Sequence, residues 1–117
     1  LKVIVAGSRT FSDYEMLKRK LDLLLALQPR NEIVIVSGAA KGADKLGERY
    51  ATEKGYRISS HPADWEKCGN NAEYIRNEEM AKKSNALVAF WDGTSKGTKH
   101  MIDLAHKYEL QVRVVRH

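Results

Sequence analysis

Uncharged apolar runs recur along the chain at Val3-Ile4-Val5-Ala6, Ile33-Val34-Ile35-Val36 and Ala86-Leu87-Val88-Ala89-Phe90-Trp91. Runs rich in β-branched and aromatic residues with no polar alternation are the pattern of strands buried on both faces. Two weaker runs, Tyr56 to His61 and Gln111 to Val115, alternate apolar and polar positions and read as strands nearer the edges of a sheet. Between the runs the period changes to that of a helix. Leu17, Leu21, Leu24 and Leu25 mark one stripe; Ala43, Leu46, Gly47, Tyr50 and Ala51 a second; Ala72, Ile75, Met80 and Ala81 a third; Met101, Leu104, Ala105 and Tyr108 a fourth.

The punctuation agrees with this reading. Ser12-Asp13-Tyr14-Glu15 has capping-box spacing with Ser12 at the cap, and Pro29 ends that helix. Gly55 suits the residue after the second helix. Gly47 in its middle costs about 1 kcal/mol against Ala and predicts a close helix–sheet approach. Asn70 or Asn71 caps the third helix, and Ser84-Asn85 ends it. Pro62 to Asn71 reads as the longest loop. Strand and helix alternate four times and a fifth strand follows. The prediction is one α/β domain over residues 1–117, a Rossmann-like, mainly parallel five-stranded sheet with helices on both faces. In such sheets ligands bind beyond the carboxyl ends of the strands, where strand order reverses.

Composition changes this picture little. The apolar share of 43% is ordinary for a globular chain, and no run approaches the ~20 apolar residues that span a bilayer, so no membrane partner is expected. The single cysteine, Cys68, fits a reducing cytoplasm and has no activating neighbour in sequence. A net charge of +5 makes anionic partners plausible, but the charges are scattered, and Lys18-Arg19-Lys20 and Lys82-Lys83 read first as solvated helix faces. His61, His100, His106 and His117 show no metal-ligand spacing, so no metal is expected; His100 is the one placed nearest the presumed site.

Candidate chemistry gathers at three glycine-bearing turns that follow strands. Gly7-Ser8-Arg9 offers a close backbone approach, a hydroxyl and a guanidinium whose fork of donors matches two oxygens. Ser37-Gly38 leads through Lys41 and Gly42 to Asp44 at a helix start. This is neither a P-loop nor a dinucleotide fingerprint, so a Walker-type NTPase is disfavoured. Asp92-Gly93-Thr94-Ser95-Lys96-Gly97-Thr98 opens the last helix with two glycines and several hydroxyls, a pattern suited to phosphate. Arg76-Asn77 sits on the helix after the long loop. The roles assigned are these. Gly7, Gly38, Gly42, Gly93 and Gly97 admit a ligand to the backbone. Ser8, Ser37, Ser95 and Thr98 bond phosphate or ribose oxygens. Arg9, Lys41 and Arg76 balance phosphate charge, and Asp44 and Asp92 bond ribose hydroxyls. Trp65 either stacks on a base or closes a small cluster beneath the loop, the commoner arrangement.

Val-Ile-Val-Ala-Gly-Ser-Arg, Val-Ser-Gly-x-x-x-Gly-Ala-Asp, Arg76-Asn77-x-x-Met80 and Phe90-Trp91-Asp92-Gly93-x-Ser95-x-Gly97-Thr98 occur in that order over nearly the whole chain. Together they resemble the YspA/YpsA-related branch of the SLOG superfamily, whose members include LOG-type nucleotide phosphoribohydrolases and the DNA-processing protein DprA. The resemblance implies a Rossmann-like fold and a nucleotide-type ligand, such as ADP-ribose, NAD or a nucleoside monophosphate, held by the turns above. It does not carry catalysis across. LOG enzymes use Pro-Gly-Gly-x-Gly-Thr-x-x-Glu; here Gly97-Thr98 matches, but Gly93-Thr94-Ser95 replaces Pro-Gly-Gly and the glutamate position holds Met101. Asp103 lies about 200° around the helix from that position.

Three classes follow: a ligand-binding or sensor module, a hydrolase of N-glycosidic bonds, and a DprA-like binder of single-stranded DNA. Met101 argues against the second. Scattered charge and the lack of an exposed aromatic series argue against the third, so a nucleic-acid partner is not favoured. A homo-oligomer is left open, and no catalytic residue is assigned.

Overall fold

The computed structural model describes residues 1–117. Five strands form one sheet in the order β3-β2-β1-β4-β5, and every pairing is parallel. They are β1 (Lys2–Gly7), β2 (Val34–Ser37), β3 (Arg57–Ser60), β4 (Ala86–Trp91) and β5 (Gln111–Arg116). The helices are α1 (Tyr14–Leu24), α2 (Ala43–Lys54), α3 (Trp65–Cys68), α4 (Ala72–Lys83) and α5 (Lys96–Lys107).

Parallel strands flanked by helices must bury both faces, and the packing shows it residue by residue. Val3 and Val5 of β1 join Ile35, Val88 and Phe90 in a core completed by Leu17 and Leu21 of α1 and by Ala43, Tyr50 and Ala51 of α2. Ile4 and Ala6, the alternate positions, join Val36, Leu87 and Ala89 in a second core against Met80 of α4 and Met101, Ile102 and Leu104 of α5. Strand side chains alternate in direction, so one uncharged run serves both cores. β3 and β5 are the edges; burial alternates along β5 as its sequence does, whereas β3 is exposed at Arg57, Ile58 and Ser60 because no helix fully covers this edge strand.

Close packing sets two positions. A Cβ on Gly47 would stand 2.8 Å from Val5 Cβ, so α2 lies on the sheet only because this residue has no side chain. Gly42 has φ +80, a left-handed conformation that favours glycine, and turns the chain into α2 against the carbonyl groups of Ser8 and Arg9.

Four boundaries depart from the sequence reading. Asp13, not Ser12, caps α1: its Oδ1 accepts from Met16 N at 3.0 Å, while Ser12 lies outside the helix. α1 stops at Leu24, before Pro29, because Ala26, Leu27 and Gln28 are exposed and give a further turn nothing to bury. The stretch predicted as one loop, Pro62 to Asn71, contains α3, capped by Asp64, and a 3₁₀ turn at Gly69–Asn71. Asn71 precedes α4 without a side-chain cap, because that 3₁₀ turn feeds the chain into the helix. No helix is long and apolar enough to cross a membrane.

Candidate functional site

From β1 the chain moves outward to β2 and β3, then crosses to the other side of β1 for β4 and β5. The reversal leaves a crevice beyond the carboxyl ends of β1 and β4, whose last residues pair as Gly7 with Phe90. A cavity of about 460 Å³ sits there. The turns after β1 and β4 and the starts of α2, α4 and α5 form its walls, and only 4 of its 16 lining residues are hydrophobic. α1 and α3 have aspartate caps, whereas α2 and α5 have none; Ala43 N at the start of α2 donates to the Ser8 carbonyl at 3.3 Å, and the start of α5 faces the cavity without a side-chain cap.

Gly7, Ser8, Arg9, Asp44, Arg76, Asn77, Asp92, Ser95, Gly97 and Thr98 all line this cavity. Their freedom differs. Ser8 is 1% exposed, and its Oγ accepts from Asp92 N at 3.2 Å, tying the ends of β1 and β4 together. His117 Nε2 lies 3.3 Å from the same oxygen. Asp92 Oδ1 accepts from the backbone N–H groups of Thr94 and Ser95 at 2.9 and 2.8 Å, and these bonds hold its carboxyl down at about 2. Ser95 Oγ and Thr98 Oγ1 are bonded to each other at 3.1 Å.

Arg76 ties α4 to the turn after β2. Its Nη1 donates to the carbonyl groups of Gly38 and His61, and its Nε donates to Asn77 Oδ1 at 2.9 Å. Burial lowers its guanidinium from the ordinary value, while Asp44 and Glu73 oppose that shift. Asn77 Nδ2 lies 3.2 Å from His100 Nδ1, and burial lowers the His100 imidazole too. His100 stands outside the cavity, edge-on to Tyr74. Asp44 is 5% exposed and its Oδ2 accepts from Ala40 N at 3.3 Å. Burial raises its carboxyl to about 6, against the lowering effect of that bond and of Arg76.

The sequence reading missed Glu73. It reaches the cavity from α4 and lies 3.6 Å from Arg9 Nη2 and 3.9 Å from Arg76 Nη2. Its carboxylate rests against Gly97, in space that a side chain there would fill. The signal was present: positions 73, 76, 77 and 80 follow helical spacing and form one face of α4. Thr10 and Ala40 also line the cavity without having been singled out, and Met80 and Met101 form its apolar floor.

Five expected residues are elsewhere. Ser37 is fully buried; its Oγ donates to Glu48 Oε2 at 2.7 Å and accepts from Ala39 N, so β2 is tied to its own turn and helix. Gly42 and Gly93 lie outside the cavity, with carbonyl groups of the first turn and Arg116 against them. Gly38 and Lys41 line a neighbouring groove. At Gly38, as at Gly42 and Gly93, the room left by the missing side chain is taken by the protein's own atoms. No group of three or more His, Cys, Asp or Glu residues is placed to hold a metal ion.

Fold and crevice together define a Rossmann-like α/β domain with a polar cleft at its switch point. The profile of the YspA, cpYpsA-related SLOG family matches residues 1–68, and the chain belongs to that family. Gene 61 protein of Mycobacterium phage D29 is 33% identical over 117 residues, 95% of this chain and 93% of the phage protein. Among solved structures, DNA processing protein A (DprA) from Streptococcus pneumoniae superposes with a TM-score of 0.78 at 20% identity. DprA from Helicobacter pylori, solved for its single-stranded DNA binding mode, superposes with a TM-score of 0.69 at 22% identity. Each superposition covers 97% of this chain but only 49% and 64% of the respective DprA chains, so the common part is the fold of one domain.

Proposed function

We propose that the chain binds a nucleotide-derived small molecule in the cleft between β1 and β4, as a sensor or ligand-processing module. The observation that carries this reading is the convergence of two guanidiniums, three carboxylates and the uncapped start of α5 on one polar cavity. Guanidiniums and first-turn N–H groups suit phosphate, and carboxylates suit ribose hydroxyls. Arg9 is the responsive cation, since it is held only by an exposed pair with Glu73. Calorimetric titration of wild type and Arg9→Ala with AMP and ADP-ribose tests it. Micromolar binding weakened tenfold or more by the substitution is expected; equal binding by both proteins would contradict it.

Hydrolysis of an N-glycosidic bond is a second reading, favoured by Glu73. Met101 cannot supply a carboxylate, but Glu73 brings one to the same cavity from α4. Free base released from AMP or NAD by wild type and not by Glu73→Gln would support it; no release by either would remove it.

Single-stranded DNA is a third reading, favoured by the likeness to the DprA fold. A strand needs several stacking surfaces along a basic track. We expect binding of a thymidine oligonucleotide to be weak, with a shallow dependence of log affinity on log salt. Tight binding with a steep slope would overturn that expectation.

A further inference from the structure

A second groove, of about 360 Å³, adjoins the cavity, and the two share Arg9, Ala40 and Arg76 as a common wall. Their electrostatic characters differ. Asp44, Glu73 and Asp92 face the first cavity against Arg9 and Arg76. The second groove has Arg9, Arg76 and Lys41 and no carboxylate. Lys41 is exposed and enters no ion pair. Trp65 lines this groove and is 52% exposed. It sits at the first position of α3, just after Asp64, whose Oδ1 accepts from Lys67 N at 3.1 Å and holds the short helix in place. The indole therefore does not close a cluster beneath the loop; it stands at the surface beside three cations.

We propose that Trp65 and Lys41 form a second subsite and that the ligand has two ends, its class being a nucleoside diphosphate joined to a sugar. The inference rests on the nucleotide-cleft reading and adds an orientation to it. Carboxylates accept hydrogen bonds from sugar hydroxyls and repel phosphate, so the sugar end enters the cavity between β1 and β4. The diphosphate lies along the shared wall, where Arg9 and Arg76 face both lobes, and Lys41 adds a third positive charge on the outer side. The base stacks on Trp65, a contact that tolerates any planar heterocycle. A mononucleotide occupies one lobe and forgoes the other.

Calorimetric titration of the full chain with ADP-ribose and UDP-glucose, beside AMP and ribose 5-phosphate, tests the proposal. At least one of the two sugar nucleotides is expected to bind tenfold or more tightly than either fragment. Trp65→Ala is expected to weaken that sugar nucleotide about 5- to 150-fold, while Trp65→Phe retains most of the affinity and ribose 5-phosphate is unaffected by either change. Lys41→Ala is expected to weaken that sugar nucleotide and AMP. Unchanged thermal midpoints show that each variant folds. If Trp65→Ala and Lys41→Ala bind the sugar nucleotides as wild type does while Arg9→Ala does not, the second subsite is overturned and the cleft stands. If wild type binds none of the four compounds, cleft and subsite fall together. Trp65-dependent binding of a thymidine oligonucleotide without binding of either sugar nucleotide overturns the ligand class.

Discussion

Arg9 and Arg76 face the same cavity but are held differently. Arg9 leaves 63% of its side chain in water and reaches one carboxylate at 3.6 Å, whereas Arg76 leaves 7% and is bonded to two backbone carbonyls and Asn77. Exposed pairs contribute little to stability, while removing one member of a buried network costs several kcal/mol. Arg9→Ala should change the unfolding free energy in urea by no more than about 0.5 kcal/mol. Arg76→Ala should cost about 3 kcal/mol at neutral pH. Asp44 adds a pH dependence. Its carboxyl rises from 3.8 to about 6 on folding, so the native state holds the proton longer than the unfolded chain. Stability from this group is therefore full below pH 4 and is lost as pH rises from about 4 through 6, by about 3 kcal/mol in all. Denaturation of wild type and Asp44→Asn at pH 4.5 and 7.5 checks it: the variant should gain on wild type as pH rises, and parallel profiles would rule the effect out. Residue identity in a motif could not separate a hydroxyl that faces the cleft from one used by the fold. Ser37 and Thr98 both follow strands in small-residue turns; only Thr98 lines the cavity, because Glu48, one helical turn beyond Asp44, captures Ser37. Glu73 was legible through its spacing to Arg76 and Asn77, but no motif drew attention to it.

At the scale of elements, periodic burial was the readable quantity. Strands β1, β2 and β4 were legible because both of their faces are covered, and α2, α4 and α5 because one stripe is. Ends were less legible, since caps compete over adjacent residues. Ser12 and Asp13 are both good caps, and the structure uses Asp13. Asp13→Ala should therefore cost about 1 kcal/mol, and Ser12→Ala close to nothing, by urea denaturation. α3 has four residues, too few to show a helical period, which is why its stretch read as a loop. Gly47 presents the opposite case. A lone glycine in a helix signalled close packing, and Val5 lies where a Cβ would point. Gly47→Ala gains about 1 kcal/mol of helix propensity but forces α2 off the sheet, for a net loss of about 1–2 kcal/mol. A stabilised variant would show that α2 can move without cost.

For the molecule as a whole, alternation of strand and helix was enough to predict a parallel sheet, its two layers of helices and the end at which the polar cavity opens. The order β3-β2-β1-β4-β5 depends on pairings between runs of similar composition. The meeting of a carboxylate-rich lobe with a cationic one depends on tertiary placement: α4 and α3 bring Glu73 and Trp65 to the cleft rim from sequence positions remote from the turns after β1 and β4. Binding of a nucleotide-derived ligand through Arg9 is read out most directly by thermal unfolding of wild type and Arg9→Ala with a panel of nucleotides, ADP-ribose and NAD. A ligand at a hundredfold excess over its Kd stabilises the native state by about 2.7 kcal/mol, a rise in Tm on the order of 10 °C for a chain of this size. Such a rise is predicted for wild type with at least one member of the panel and its loss for Arg9→Ala; a wild-type transition unmoved by every compound would contradict that binding.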